Sequence, residues 1–244
     1  MGAKNNLQVF ETIDALTEAA ANLIIDFAQN TIQQRGRFAL CLSGGRTPEK
    51  LYSLLAQPQF QNKINWAKTF VFWGDERCVP LDDKQNNALM AKLLLLDKVK
   101  IPVGNIFPIP VNLSPAEAAK AYEKSLHDFF GKNEPSFDLI LLGLGENAHT
   151  ASLFPDTEVI HELKHWVKEV YVDEVKMFRV TMTAPLINKA HNIAFLVTGA
   201  EKAEVMKTIL KAPFEPDKYP AQLIKPEQGS LYWLADKGAA ALCL

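Results

Sequence analysis

The sequence predicts an α/β fold in which a mainly parallel sheet is covered on both faces by helices. Three observations point there. Short apolar strands alternate with helical patterns along nearly all of the 244 residues. The strands at Phe38 and Phe137 are apolar almost throughout, as strands buried on both faces must be. Both run into glycine turns, the arrangement that places ligand-binding groups beyond the carboxyl ends of strands in open α/β sheets.

In chain order, Asp14 to Gln34 carries Leu16, Ala20, Leu23, Ile24 and Phe27 at helical spacing, and Gly36 stops that helix before a strand beginning at Phe38. After the glycine turn, Thr47 reads as an N-cap with Pro48 at the first helical position, where proline's fixed φ and missing donor cost nothing. Thr69 to Trp73, TFVFW, is the second strand, and Gln85 to Leu96 reads as a helix. Ser114-Pro115-Ala116-Glu117 opens a further helix with a capping-box pattern, continuing to about Phe130. Leu139 to Leu142 is a strand whose following turn is expected to deliver His149 to a helix start. Glu169 to Val172, Phe178 to Met182 and Ile193 to Val197 are strands, followed by a helix from about Ala200 to Leu210 and a last strand at Leu231 to Leu234. Pro213, Pro216, Pro220 and Pro226 make the stretch before it loop-like, but too short and too close to the end for an interdomain linker. Residues 1–244 therefore read as a single domain.

Composition narrows the function classes. At 48% hydrophobic, the chain can bury a large core. A formal net charge of −2 and a pI near 6.2 give no electrostatic reason to expect nucleic acid. Cys41, Cys78 and Cys243 are too few and too scattered for a disulfide framework or a cysteine zinc site, which suits a reducing, cytoplasmic location. No run is long enough to span a bilayer, the N-terminus has no apolar signal core, and Asn6 spoils the myristoylation match that Gly2 suggests. A monomer or small homo-oligomer acting on a small molecule is expected, with no membrane partner.

Four loops carry the candidate chemistry. In FALCLSGGRT, the turn Ser43-Gly44-Gly45 leaves backbone amides free at a positive helix end, its glycines let a ligand approach closely, and Arg46 adds charge, which suits a phosphate; an ordinary tight turn is the other reading. In FDLILLGLGENAHTASLFP, His149 lies just past a strand end, either as a titratable group facing substrate or as a residue bonding a helix end or loop carbonyl. Asp75, Glu76 and Arg77 follow the second strand and could orient hydroxyls and steady developing charge, or form a solvated, salt-bridged turn. Arg179 interrupts an apolar strand and Lys202 sits at another strand-to-helix turn, where both could reach a common phosphate.

Taken together, LSGGRTPEKLY, FWGDERCVP with the downstream Asn86, LGLGENAHTASLFP, RVTMTAPLINKA and FLVTGAEKA resemble the 6-phosphogluconolactonase branch of a sugar-phosphate superfamily that also contains glucosamine-6-phosphate deaminase. The resemblance runs in order along nearly the whole chain. It implies a Rossmann-like three-layer α/β/α sandwich and hydrolysis of 6-phospho-D-glucono-1,5-lactone to 6-phospho-D-gluconate in the oxidative pentose phosphate pathway, with no cofactor and no metal. Carried over by position, it implies phosphate binding by Ser43, Gly44, Gly45 and Arg46 with Arg179 and Lys202, and catalysis centred on His149. Arg77 is expected to steady the oxyanion, and Asp75 and Glu76 to hold Arg77 or the sugar hydroxyls. Ser152 lacks a G-x-S-x-G elbow and is expected to cap or to contact substrate rather than attack it.

The chain departs from the family where Asp-Gly-His is usual and Asn147-Ala148-His149 stands instead. Losing the carboxylate removes an orienting charge, although an asparagine oxygen still accepts a hydrogen bond. If the family glycine has positive φ, alanine there costs about 1 kcal/mol. Two alternatives are open at this point. A glucosamine-6-phosphate deaminase or isomerase would carry a glutamate shortly after the histidine, where Leu153-Phe154-Pro155 stands. A non-catalytic sugar-phosphate sensor would bind without turnover.

Overall fold

The computed structural model describes residues 5–131 and 134–243; Gly2 and its neighbours lie outside them. The strands are β1 (Asn5–Phe10), β2 (Phe38–Leu42), β3 (Thr69–Trp73), β4 (Asp75–Arg77), β5 (Ile106–Phe107), β6 (Leu139–Leu142), β7 (Val167–Val172), β8 (Met177–Met182), β9 (Asn192–Val197) and β10 (Ser230–Asp236). The helices are α1 (Ile13–Arg35), α2 (Arg46–Leu55), α3 (Pro58–Gln61), α4 (Asn87–Leu94), α5 (Pro115–Phe130), α6 (Ala184–Asn188), α7 (Ala203–Lys211) and α8 (Lys237–Ala240).

Among the described residues, seven strands form one sheet in the order β1-β10-β9-β6-β2-β3-β5, every pair parallel. All residues of β2 and β6 are buried, which requires cover on both faces of the sheet centre. Helix α1 packs on β1, β2 and β10, α2 on β9, and α8 on β1 and β10. The fold is Rossmann-like. A second, antiparallel sheet, β4-β8-β7, stands beside the first, and Arg77 pairs opposite Arg179 across its β4–β8 ladder. Among the described residues no helix is long and apolar enough to cross a membrane.

Topology places the cleft. Strands β2 and β6 are neighbours, but the chain leaves β2 for β3 on one side and, after β6, reaches β9 on the other. The loops leaving their carboxyl ends therefore diverge and open a crevice. Two buried tyrosines fix where the divergence begins. Tyr52 of α2 donates its hydroxyl hydrogen to the Ser43 carbonyl at 2.7 Å and accepts from the Ser43 N–H at 3.1 Å. Tyr122 of α5 makes the same pair of bonds with Trp73, at 3.0 and 2.9 Å. Backbone groups that the ladder abandons at a strand end need partners when buried, and each phenol supplies both.

Several elements differ from expectation. Strand β1, NNLQVF, lies outside every element expected from the sequence; it is an edge strand bonded on one side, which tolerates so polar a sequence. Helix α2 starts one residue before Thr47: Gly45, at φ 106°, is its N-cap, and Thr47 Oγ1 instead bonds Thr198 Oγ1 at 2.8 Å. No helix begins at His149. Residues Gly145 to Pro155 form successive turns, because Ala148 and Ala151 have φ of 66° and 48°, outside any right-handed helix. Arg179 lies on the central strand of the small sheet, not on an edge.

Tyr52→Phe leaves both buried backbone groups of Ser43 without partners and is expected to cost about 2 kcal/mol. Urea unfolding monitored by fluorescence checks this; a midpoint equal to wild type would remove the phenol's structural role.

Candidate active site

A cleft of about 480 Å³ opens at the carboxyl ends of β2, β6 and β9. The large sheet sends three loops into it: Ser43 to Arg46 after β2, Gly143 to Thr150 after β6, and Thr198 to Lys202 after β9. Asp75, Arg77 and Arg179 reach it from the small sheet. Of the residues expected to bind phosphate or to take part in catalysis, Glu76 alone does not line it; Asn86, Asn147 and Ser152 also lie off its lining.

The glycine turn is shaped by contact. A Cβ on Gly44 would lie 2.0 Å from Asn87 Oδ1, so only glycine lets Asn87 pack there and donate its Nδ2 hydrogen to the Asp75 carbonyl at 3.1 Å. Asn87 also lines the cleft, and sequence reasoning missed it by picking out its neighbour. Asn86 is the N-cap of α4, its Oδ1 accepting from the Leu89 N–H at 2.7 Å. Ser43 Oγ is buried at the cleft without a hydrogen-bond partner among the described residues.

Arg46, Arg77, Arg179 and Lys202 line this space, as does Lys50 of α2. Arg46 opens α2; Lys202 Nζ stands 3.8 Å from the exposed Glu146 carboxylate. Arg77 Nη1 donates to the Gln85 carbonyl at 2.8 Å, which holds the guanidinium across the cleft wall. Arg179 Nη1 lies 3.8 Å from Asp75 Oδ2, with its guanidinium carbon 5.2 Å from the Phe154 ring centroid. Asp75 is buried, and its Oδ2 also accepts from Ser152 Oγ at 2.6 Å. Ser152 is wholly buried, so its role is to hold Asp75 rather than to cap a helix or touch substrate.

His149 is fixed on several sides. Its ring stacks on Phe154 at 3.9 Å between centroids, and a Cβ on Gly145 would lie 2.0 Å from its Nδ1. Nδ1 meets Asn147 Oδ1, which also accepts from the His149 backbone N–H at 3.2 Å, while Asn147 Nδ2 donates to Glu174 Oε2 at 2.7 Å. A carboxylate can only accept, so the network assigns the asparagine oxygen to the ring and the ring proton to Nδ1. Nε2 then carries the lone pair. Burial pushes the imidazole pKa down to about 4; the charges of Arg179, Lys202 and Arg77 add to this and Asp75 opposes it. The ring is neutral at pH 7.

Glu76 plays a different part. It is fully buried and accepts the backbone N–H of Arg77 and of Asn87 at Oε1, and that of Ala88 at Oε2, at 2.8 to 2.9 Å. With Asn86 it satisfies the open amides at the start of α4. Burial drives its carboxyl up to about 7 despite those three donors. Glu76 does not line the cleft and its oxygens are taken by these amides, so of its two expected roles it holds Arg77, through the backbone N–H, rather than sugar hydroxyls.

Comparison with known proteins places these features in a family. Residues 11–233 match the family described as glucosamine-6-phosphate isomerases/6-phosphogluconolactonase. The chain is similar to the 6-phosphogluconolactonase of Synechocystis sp., 41% identical over 92% of each chain, and to that of Nostoc sp., 38% identical over 98% of each. Among solved structures, 6-phosphogluconolactonase from Trypanosoma cruzi superposes with a TM-score of 0.87 at 28% identity, covering 99% of this chain and 97% of that one.

Glu76→Ala strips one buried and two part-buried amides of their acceptor, so a stability loss of about 3 kcal/mol is expected in chemical denaturation. A variant as stable as wild type but inactive would restore a direct catalytic role.

Proposed function

The chain belongs to the family of glucosamine-6-phosphate isomerases and 6-phosphogluconolactonases, and as an enzyme of lactonase type we propose that it hydrolyses 6-phospho-D-glucono-1,5-lactone with His149 as general base. The observation that carries this reading is an oriented imidazole, neutral at pH 7, sharing one cleft with the Ser43-Gly44-Gly45 turn and the Arg46, Arg179 and Lys202 side chains.

The lactone is an activated cyclic ester whose opening needs a nucleophilic water and a stabilised tetrahedral oxyanion. His149 Nε2 takes the proton from attacking water and returns it to the ring oxygen as that leaves. A neutral base is required for the first step, and burial supplies it. Arg77, held by the Gln85 carbonyl, meets the developing negative charge on the former carbonyl oxygen. Asp75, braced by Ser152, anchors Arg179 and faces the sugar hydroxyls. The phosphate lies in the Ser43-Gly44-Gly45 turn with Arg46, Arg179 and Lys202, and its binding energy fixes the reacting carbon against the histidine.

The cations tie the two ends together. Second to burial, the charges of Arg179 and Lys202 lower the basicity of His149, so a phosphate dianion that neutralises them strengthens the base as substrate arrives. Substrate binding and base strength are coupled through charge.

Because the lactone also opens in water, acid release from freshly generated 6-phosphogluconolactone is measured against a no-protein control. His149→Ala is expected to lose at least about a hundredfold in kcat while binding of the product phosphosugar stays within about threefold. Turnover at the wild-type rate in that variant would end the general-base reading. The pH dependence has a definite sign: the base works when unprotonated, so kcat/KM holds through the ordinary histidine range and falls only as the pH drops through about 4. The acid limb of kcat, which reports the complex, is expected at higher pH than that of kcat/KM. Coincident limbs would show that phosphate and imidazole do not communicate.

A further inference from the structure

We infer that Glu174 is a positioning residue for the reaction, acting through Asn147 to hold His149 in the tautomer that leaves Nε2 basic; this rests on the reading of His149 as the base. Glu174 sits in the Asp173–Val175 turn at the tip of the β7–β8 hairpin, the same small sheet that brings Asp75, Arg77 and Arg179 to the cleft. The turn closes with Lys176 at φ 47°, and Tyr171 and Phe178 stack edge to face across the hairpin just behind it.

The asparagine amide has two orientations related by a half turn about its last bond. With Oδ1 toward the imidazole, Nδ1 carries the proton and Nε2 can accept one. With the NH2 toward the imidazole, Nδ1 must be the acceptor, Nε2 holds the proton, and the base is lost. The surrounding backbone is pinned: the Ala148 N–H donates to the Gly145 carbonyl at 3.1 Å, and the Ala148 carbonyl accepts from Ala221 at 3.0 Å. What is left to vary is the side-chain orientation. The His149 backbone N–H favours the productive one at 3.2 Å, and Glu174, accepting from Nδ2 at 2.7 Å, favours it from a different element. An acceptor-only group at that point cannot face a flipped amide.

Where one carboxylate could have oriented the ring directly, this chain uses an amide and a carboxylate in series. The link also fastens the hairpin tip to the histidine loop, 27 positions apart in sequence. Glu174 is exposed, so its contribution is smaller than that of a buried partner.

The test is a set of variants assayed on the lactone against the no-protein background. Glu174→Ala is expected to lower kcat about tenfold with KM within about twofold, and Glu174→Gln, whose amide can face either orientation of Asn147, to lose most of the same activity. In an Asn147→Ala background, Glu174→Ala is expected to change nothing further. Nitrogen-15 shifts of the His149 ring are expected to show the Nδ1-protonated form in wild type and a mixture in Glu174→Ala. The inference is overturned by an unchanged kcat in Glu174→Ala, by an equal loss in the Asn147→Ala background, or by a change confined to KM. If His149→Ala is inactive while Glu174→Ala matches wild type, only this inference fails; if His149→Ala turns over normally, the base itself is wrong.

Discussion

The site depends on how buried strands are allowed to end. Inside a parallel sheet the ladder satisfies every amide and carbonyl, but where β2 and β3 stop, the chain must turn without abandoning polar groups in a dry interior. Tyr52 and Tyr122 resolve this by bonding both backbone groups of Ser43 and Trp73. The glycine turn starts at Ser43 and the acid-arginine segment starts two residues after Trp73. Each therefore leaves the core from a fixed point, and the accuracy of the cleft is inherited from two phenols that never touch it.

Beyond these points, the cleft is built by division of labour between two sheets. The large sheet contributes close-packed glycines, a helix start bearing Arg46, the turn that carries Lys202, and a loop whose turns present one imidazole. The small sheet contributes charge, with Arg77 and Arg179 opposite each other in the ladder and Asp75 beside them. Glu76 and Ser152 bind the two together from below, one by holding the start of α4 and the other by holding Asp75. The carboxylates of Glu76 and Asp75 are tolerated at this depth because each accepts hydrogen bonds, whereas Ser43 Oγ and the Nε atoms of Arg77 and Arg179 are buried without a partner among the described residues.

Much of this was legible in the sequence because it rests on local rules. The apolar runs of β2, β3 and β6, the capping box opening α5 and the glycine turn each follow from a few adjacent residues. The strand–turn–helix pattern around His149 was misread: positive φ at Ala148 is signalled only by the glycine usual in the family there, and positive φ at Ala151 leaves no trace in a residue that usually prefers helix. The roles of Glu76, Asn87 and Glu174 were hidden for another reason. Each depends on a partner 11 to 27 residues away, and a lone acidic or amide side chain looks the same whether solvated or committed. β4 was invisible because DER carries no strand propensity of its own; it is held in place by pairing with β8.

Lys202 Nζ lies 3.8 Å from the exposed Glu146 carboxylate, so an anion reaching this lysine from solution meets a tethered competitor. An exposed pair of this kind is worth only about 0 to 1 kcal/mol, so Glu146 shades the lysine without sealing it, and a ligand with a second foothold on the neighbouring loops would displace the carboxylate at little cost.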